Sequence, residues 1–380
     1  MTTPRVAVSV MAHPRRAAAA ADIARACGTL PARVVLDPEP HGPPSTVRTA
    51  RLAWLPWQRD ATHHLVLQDD VLLRADFDRH VTAAVAARPA AALSLFTEWG
   101  SFTSHALRIA AFGGHPWARQ PDTYLGTQAL VMPAGHARAF AERLAAVDLA
   151  VPDDHAVHAY THEAGLEHLV SNPNLVQHEV GTSMVGNVAM GARRATVTLP
   201  DDVPLPADWW QGEALTELTR IPSVFWRDAG PSSYERRPTP GAPWTVAPVR
   251  PTFGHRQDEV EARVRALLRA DDAGTGGTAV GAALTGVAVT MTAQLAVARS
   301  LRRRPTSAAA EACAADAART IAPGGLRTLT TAGPHPVDWP RVSDAFARLA
   351  RRVETELLPG LDLEHLAADH TAGVAAARAR

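Results

Sequence analysis

Two adjacent carboxylates, Asp69 and Asp70, follow Gln68 at the end of the apolar run His64-Leu65-Val66-Leu67. A run of that kind reads as a buried strand, which puts the acids at its carboxyl end. Hard divalent cations prefer oxygen ligands, and Mg²⁺ is commonly held by one or two carboxylates together with substrate phosphates. The competing reading is structural, because aspartate also caps turns and helix starts. Arg15 and Arg16 follow Pro14, where a first helix opens. There a guanidinium and the helix dipole suit a diphosphate, while a solvated helix face is the alternative. A second acid pair, Asp153-Asp154, begins a later helix, where capping alone stabilises by ~0.5–2 kcal/mol. His155, His158 and His162 fall at helical spacing, which could place three imidazoles on one face for zinc, though that reading is disfavoured. The glutamate of a His-Glu-x-x-His motif is missing, which leaves hydrolysis there without a base.

The elements that must position these groups alternate short apolar runs with helix-like segments over residues 5 to 200, the pattern of an α/β domain with a mostly parallel sheet. Val6–Val10 and Val34–Leu36 read as the first two strands, with a helix from Pro14 to near Gly28 between them. Ser45 or Thr46 caps a helix reaching Trp54. His64–Leu67, Ala91–Phe96, Ala129–Met132 and Glu167–Val170 read as further strands, and Ala134–Val147 and Asp154–Ala164 as helices. In open α/β sheets ligands bind beyond the carboxyl ends of the strands, so the position of Asp69-Asp70 agrees with its chemistry. Residues 201–255 are rich in proline and carry Trp209, Trp210, Trp226 and Trp244, which suggests an irregular extension wrapped on the first domain. Residues 256–380 turn helical, with Val260, Val264 and Leu267-Leu268, then Val342, Phe346, Leu349 and Val353, on apolar faces. Ala367–Arg380 carries weak packing signals.

Composition removes several alternatives. In 380 residues, 38 basic side chains cancel 38 acidic ones, so net charge predicts no nucleic-acid partner. Every non-histidine base is arginine, which excludes lysine as nucleophile, Schiff base or P-loop cation. Cys27 and Cys313 alone cannot build a disulfide framework or a cysteine-rich zinc site. Met1–Val10 lacks a charged stretch followed by a long apolar one, and the expected location is the cytoplasm. Ala273–Ala298 carries no charge, yet its glycine, threonine and alanine fit a buried helix better than an integral membrane segment.

Five segments, in order, resemble GT-A-fold glycosyltransferases, especially the lipopolysaccharide glycosyltransferase family 25 and related bacterial and phage nucleotide-diphospho-sugar transferases. They are Val8-Ser9-Val10-Met11-Ala12-His13-Pro14-Arg15-Arg16; His63 to Leu73; Tyr124-Leu125-Gly126-Thr127-Gln128-Ala129-Leu130-Val131-Met132; Asp153-Asp154; and Asn172-Pro173-Asn174-Leu175-Val176-Gln177-His178 followed by Gly181-Thr182-Ser183. The resemblance covers roughly residues 5 to 190. It implies a GT-A-like, Rossmann-like catalytic domain over residues 1–200 that moves a sugar from a nucleotide-sugar donor to an acceptor, whether glycan, small molecule or protein, with Mn²⁺ or Mg²⁺ as cofactor.

Carried over residue by residue, the resemblance places His13, Arg15 and Arg16 in the nucleotide-binding loop, and Gly126 and Thr127 on the sugar side. Asp70 becomes the first metal ligand, Asp69 its helper, and His178 the late histidine that completes the metal shell. Asp153 or Asp154 stands where inverting members keep the general base. Gln68 replaces an acid usual in the family, which reduces the charge offered to a metal but still suits a ribose hydroxyl. Trp99, in a loop after a strand, is the tryptophan best placed to stack on a sugar; Trp117 reads as core. Two other functions stay open: a catalytically weakened nucleotide-binding scaffold, suggested by Gln68 and the long C-terminal region, and a nucleotidyltransferase, whose glycine-rich loop Ala12–Arg16 lacks.

Overall fold

The computed structural model describes residues 4–121, 126–179, 191–225, 230–235, 244–248, 252–271, 279–301, 307–328 and 337–363. Tyr124, Leu125, Gly181-Thr182-Ser183, Trp226 and Ala367–Arg380 therefore lie outside the described residues. The first half runs β1 (Val6–Ala12), α1 (Ala17–Ala26), β2 (Ala32–Leu36), α2 (Thr46–Ala53), β3 (His63–Gln68), β4 (Val71–Leu73), α3 (Phe77–Ala87), β5 (Ala92–Ser94) and α4 (Phe102–Phe112). It continues β6 (Trp117–Arg119), β7 (Ala129–Pro133), α5 (Ala134–Leu144), α6 (Asp153–Glu163), β8 (His168–Ser171) and β9 (Val176–His178). Ser45 caps α2 by accepting from Arg48 N, and Gly28 leaves α1 at φ +64, as helix stops often require.

An eight-stranded sheet, in the order β10-β6-β8-β5-β7-β3-β1-β2, with β10 at Ala214–Leu215, forms the centre. β1–β2, β1–β3, β5–β8 and β6–β10 pair parallel, whereas β3–β7, β5–β7 and β6–β8 pair antiparallel. The sheet is thus mixed, more so than the apolar runs suggest, because a fully buried strand reads the same in either direction. Alternation along the strands divides the core: Val6, Val8, Val10, Leu65 and Leu67 join one apolar cluster, while Met11 and Val66 join another with Val47, Trp54, Phe140 and Val157. Helices α2, α5 and α6 cover that second face.

Residues 201–255, expected to be irregular, contain an antiparallel sheet of β11 (Arg220–Phe225), β12 (Gly230–Glu235) and β13 (Thr245–Pro248). Prolines disguised it. Pro222 lies in an edge strand and Pro248 ends another, positions where a missing N–H is tolerated. Phe102 at the start of α4 stacks on Phe225 and Tyr234, with centroids 5.3 and 4.5 Å apart, and Tyr234 stacks on Trp244 at 5.4 Å.

The C-terminal helices are α7 (Gln257–Ala270), α8 (Ala279–Ser300), α9 (Ala308–Gly325) and α10 (Trp339–Arg352). Val260, Val264 and Leu268, and Val342, Phe346 and Leu349, are buried, as their periodicity predicts. Val280–Ser300 is one helix long and apolar enough to cross a bilayer, and 67% of its most apolar window is buried inside this fold. Helices α8 and α9 pack on α4 and belong to the same apolar cluster as β1 and β3. Arg108 on α4 is buried and satisfied by Ser104 Oγ (2.6 Å), Trp99 O (2.9 Å), Thr320 O (3.1 Å) and Ala317 O (3.2 Å). Burial pushes its guanidinium down to about 9, opposed by Glu98 and Asp316, so it stays charged at neutral pH.

One close approach between the two halves sets glycine against backbone. A Cβ at Gly324 of α9 would collide with the Trp99 carbonyl, and one at Gly100 would sit 2.8 Å from Gly324 O. Gly324→Ala should destabilise the fold by ~1–3 kcal/mol through overpacking, read as a lower midpoint of thermal unfolding. An unchanged midpoint contradicts this close packing.

Candidate functional site

Strand direction gathers the site. β1, β3, β5 and β8 run one way and β7 runs back, so the sheet has a single rim where the first four end and β7 begins. His13 follows β1, Gln68 ends β3 with Asp69-Asp70 directly after it, and Gly126-Thr127 precede β7. The antiparallel pair β4–β9 places Val71 opposite His178 and so brings His178 beside Asp70. Glu179 N donates to Asp70 O at 2.8 Å and fixes that register.

The two aspartates face different partners. Asp69 Oδ2 accepts from His13 N at 3.1 Å, and its Oδ1 lies 3.1 Å from Arg16 Nε, an ion pair without hydrogen-bond alignment. Arg16 also donates to Asp69 O at 2.9 Å and to Glu179 Oε2 at 3.4 Å. Burial raises the Asp69 carboxyl above its ordinary range, opposed by Arg16 and reinforced by the Asp70 charge. Asp70 Oδ2 lies 3.1 Å from His178 Nε2, again off the hydrogen-bond direction. Burial pushes Asp70 up, but His178, Arg16 and Arg193 outweigh it and hold the carboxyl below its usual range.

Asp70 Oδ1 and both ring nitrogens of His178 are buried and have no hydrogen-bond partner among the described residues. Buried polar atoms left this way are rare and call for an explanation. No three His, Cys, Asp or Glu side chains converge as a ready metal cage among the described residues. A carboxylate oxygen and an imidazole nitrogen nonetheless fit a cation that takes its remaining ligands from a diphosphate and water.

A second group sits one strand over. Gln68 Nε2 donates to Thr127 Oγ1 at 2.9 Å, so the neutral Gln68 amide is engaged within the chain. Asp153 N donates to Thr46 Oγ1 at 3.1 Å, and the Asp153 carboxyl lies beside the hydroxyls of Thr46 and Thr127. Asp153 is 4% exposed, and its Oδ2 has no partner among the described residues. Burial, then the neighbouring Asp154 charge, raise its carboxyl above the ordinary range. Asp154 is half-buried and is also raised by burial, against the charges of His155 and Arg193. Beside Gly126, a cavity of about 20 Å³ opens between Phe96, Thr97, Glu98 and Thr103, room for little more than one water or one hydroxyl.

The structure brings His13, Arg16, Gln68, Asp69, Asp70, Thr127, Asp153, Asp154 and His178 to this rim, with Gly126 at its edge. Arg15 stands outside it, exposed, giving only its backbone N–H to His13 Nδ1 at 3.1 Å. Trp99 donates through Nε1 to Ala192 O at 2.8 Å, and Trp117 is fully buried. The rings of His158 and His162 are 6.4 Å apart, and no third ligand joins them among the described residues. Sequence reasoning missed Glu179 and Arg193. Glu179 had a signal, an acid directly after His178; Arg193 had none, because only the packing of its segment returns it to the rim.

No protein-family model matches the chain, and no curated protein matches it.

A raised carboxyl in the folded state holds its proton more tightly than in the unfolded chain. Ionising it as pH rises past the ordinary carboxylate value of about 4 thus costs folding stability up to the raised value. Asp153→Asn should accordingly melt at higher temperature than the parent at pH 8, with the difference shrinking towards pH 4. A variant less stable at pH 8 than at pH 4, relative to the parent, contradicts the assignment of Asp153 as a strained, buried charge.

Proposed function

We propose that this chain is a metal-dependent glycosyltransferase that moves a sugar from a nucleoside-diphosphate donor to a hydroxyl or amine acceptor, on a GT-A-like domain. The observation that carries the reading is the close pair of half-buried Asp70 and buried His178, 3.1 Å apart, with Asp70 Oδ1 and His178 Nδ1 left without a partner among the described residues at the rim where β3 ends. Asp70 and His178 would hold Mn²⁺ or Mg²⁺, which when bound supplies positive charge to the departing diphosphate. Asp69 plays a different part: it fixes the His13 amide and Arg16, and so sets the loop against which a nucleotide would lie.

The remaining residues divide the work. Gln68 and Thr127 hold each other at the start of β7, on the side where the sugar would rest. Asp154, half-buried at the start of α6, is the better general base, because a raised carboxyl takes a proton more readily and this one is partly open to solvent. Asp153 is enclosed by Thr46 and Thr127 and supports the helix start from beneath. Most of the rate enhancement in such a site is electrostatic.

The test is release of nucleoside diphosphate from a panel of nucleotide-sugars in Mn²⁺ or Mg²⁺, comparing the parent with Asp70→Asn. Turnover should fall on the order of 10²-fold or more, the usual loss when one preorganised electrostatic stabiliser is removed. Binding without turnover in the parent would favour a scaffold, and pyrophosphate release from a nucleoside triphosphate would favour nucleotidyl transfer. Equal turnover by Asp70→Asn would remove the metal role.

A further inference from the structure

We infer that Arg193 is a diphosphate-binding residue of this site and engages the terminal phosphate of the nucleotide; the assignment rests on the reading proposed above. Its backbone is held on both sides by one tryptophan, since Trp99 Nε1 donates to Ala192 O at 2.8 Å and Trp99 N to Arg194 O at 2.9 Å. Ala195 N donates to Gln177 Oε1 at 2.7 Å, and the same oxygen accepts from His178 N at 3.0 Å. Thr196 N is pinned to Thr97 O at 2.9 Å, and a Cβ at Gly191 would meet Arg327 O at 2.8 Å. The segment that carries Arg193 is therefore locked to the segment that carries His178.

From that anchored position the Arg193 charge is felt by both Asp70 and Asp154, whose carboxyls it helps to hold down. Its side chain is half-buried, whereas Arg194 beside it is exposed. Among the described residues, none accepts a hydrogen bond from Arg193 or closes an ion pair with it. Arg16, the other cation at the rim, is already committed to Asp69 and Glu179.

Charge balance explains why such a group is needed. A diphosphate entering the rim meets Asp69, Asp70, Asp154 and Glu179, and a cation with no acceptor among the described residues offsets that repulsion. A guanidinium fork matches two phosphate oxygens, and a backbone fixed in advance lowers the entropy lost on binding. Because the segment of Arg193 is tied through Gln177 to that of His178, the fork would meet the diphosphate where the cation holds it.

The experiment is calorimetric titration of nucleoside diphosphates and the matching monophosphates, with Mn²⁺, into the parent, Arg193→Gln, Arg193→Lys and the exposed neighbour Arg194→Gln. For the diphosphate that the parent binds, Arg193→Gln should weaken affinity by about tenfold or more, a change of roughly 1.4 kcal/mol. Monophosphate affinity should change little, Arg193→Lys should recover part of the loss, and Arg194→Gln should match the parent. Parent-like diphosphate affinity in Arg193→Gln overturns the assignment, and so does equal weakening of both nucleotides. A parent that binds neither nucleotide overturns the glycosyltransferase reading itself, an outcome separate from a parent that binds and a variant that does not care.

Discussion

Two carboxylates on consecutive residues at the end of a buried strand repel each other and lose hydration together, and the surroundings of this site answer that constraint. The carboxylates are turned to different partners: Asp69 to Arg16 and the His13 amide, Asp70 to His178. Their proton affinities move apart as a result, Asp69 upward under burial and Asp70 downward under its basic neighbours in spite of burial. Each partner arrives on its own element. Arg16 closes the turn after β1, and His178 comes in on β9 through its pairing with β4. The order of strands in the sheet is thus also the arrangement of charge at its rim.

The C-terminal helices bear on the same rim from behind. Helix α9 presses Gly324 against the Trp99 carbonyl, Arg327 pairs with buried Glu98, and Arg108 ties α4 to the carbonyls of Ala317 and Thr320. Trp99 in turn holds the carbonyls on both sides of Arg193. The C-terminal helical region is therefore part of what fixes the loops at the rim, through close glycine packing, a buried ion pair and hydrogen bonds from Arg108 to backbone carbonyls.

Much of this was legible in the sequence, and the failures have physical causes. The apolar run into Gln68-Asp69-Asp70 gives β3 and the place of the acids, and Ser45 marks the start of α2 because a hydroxyl there satisfies a free amide. The direction of β7 was not legible, since a strand buried on both faces carries no record of which way its neighbours run. Helix α4 was missed because residues from Thr103 to Phe112 are all buried, which leaves no polar stripe to give the period of a helix. Arg193 was missed for a third reason: its placement depends on hydrogen bonds from Trp99 and Gln177, both distant in sequence.

On the reading proposed above, Asp70 and His178 together hold a divalent cation that meets the donor diphosphate. The most direct test is a crystal of the protein grown with Mn²⁺ and a nucleoside diphosphate, with anomalous diffraction recorded at the manganese edge. The account predicts one anomalous peak about 2.0–2.4 Å from an Asp70 oxygen and from a His178 ring nitrogen, bridged to phosphate oxygens. Well-ordered nucleotide with no manganese at that pair, or manganese bound elsewhere, would contradict it.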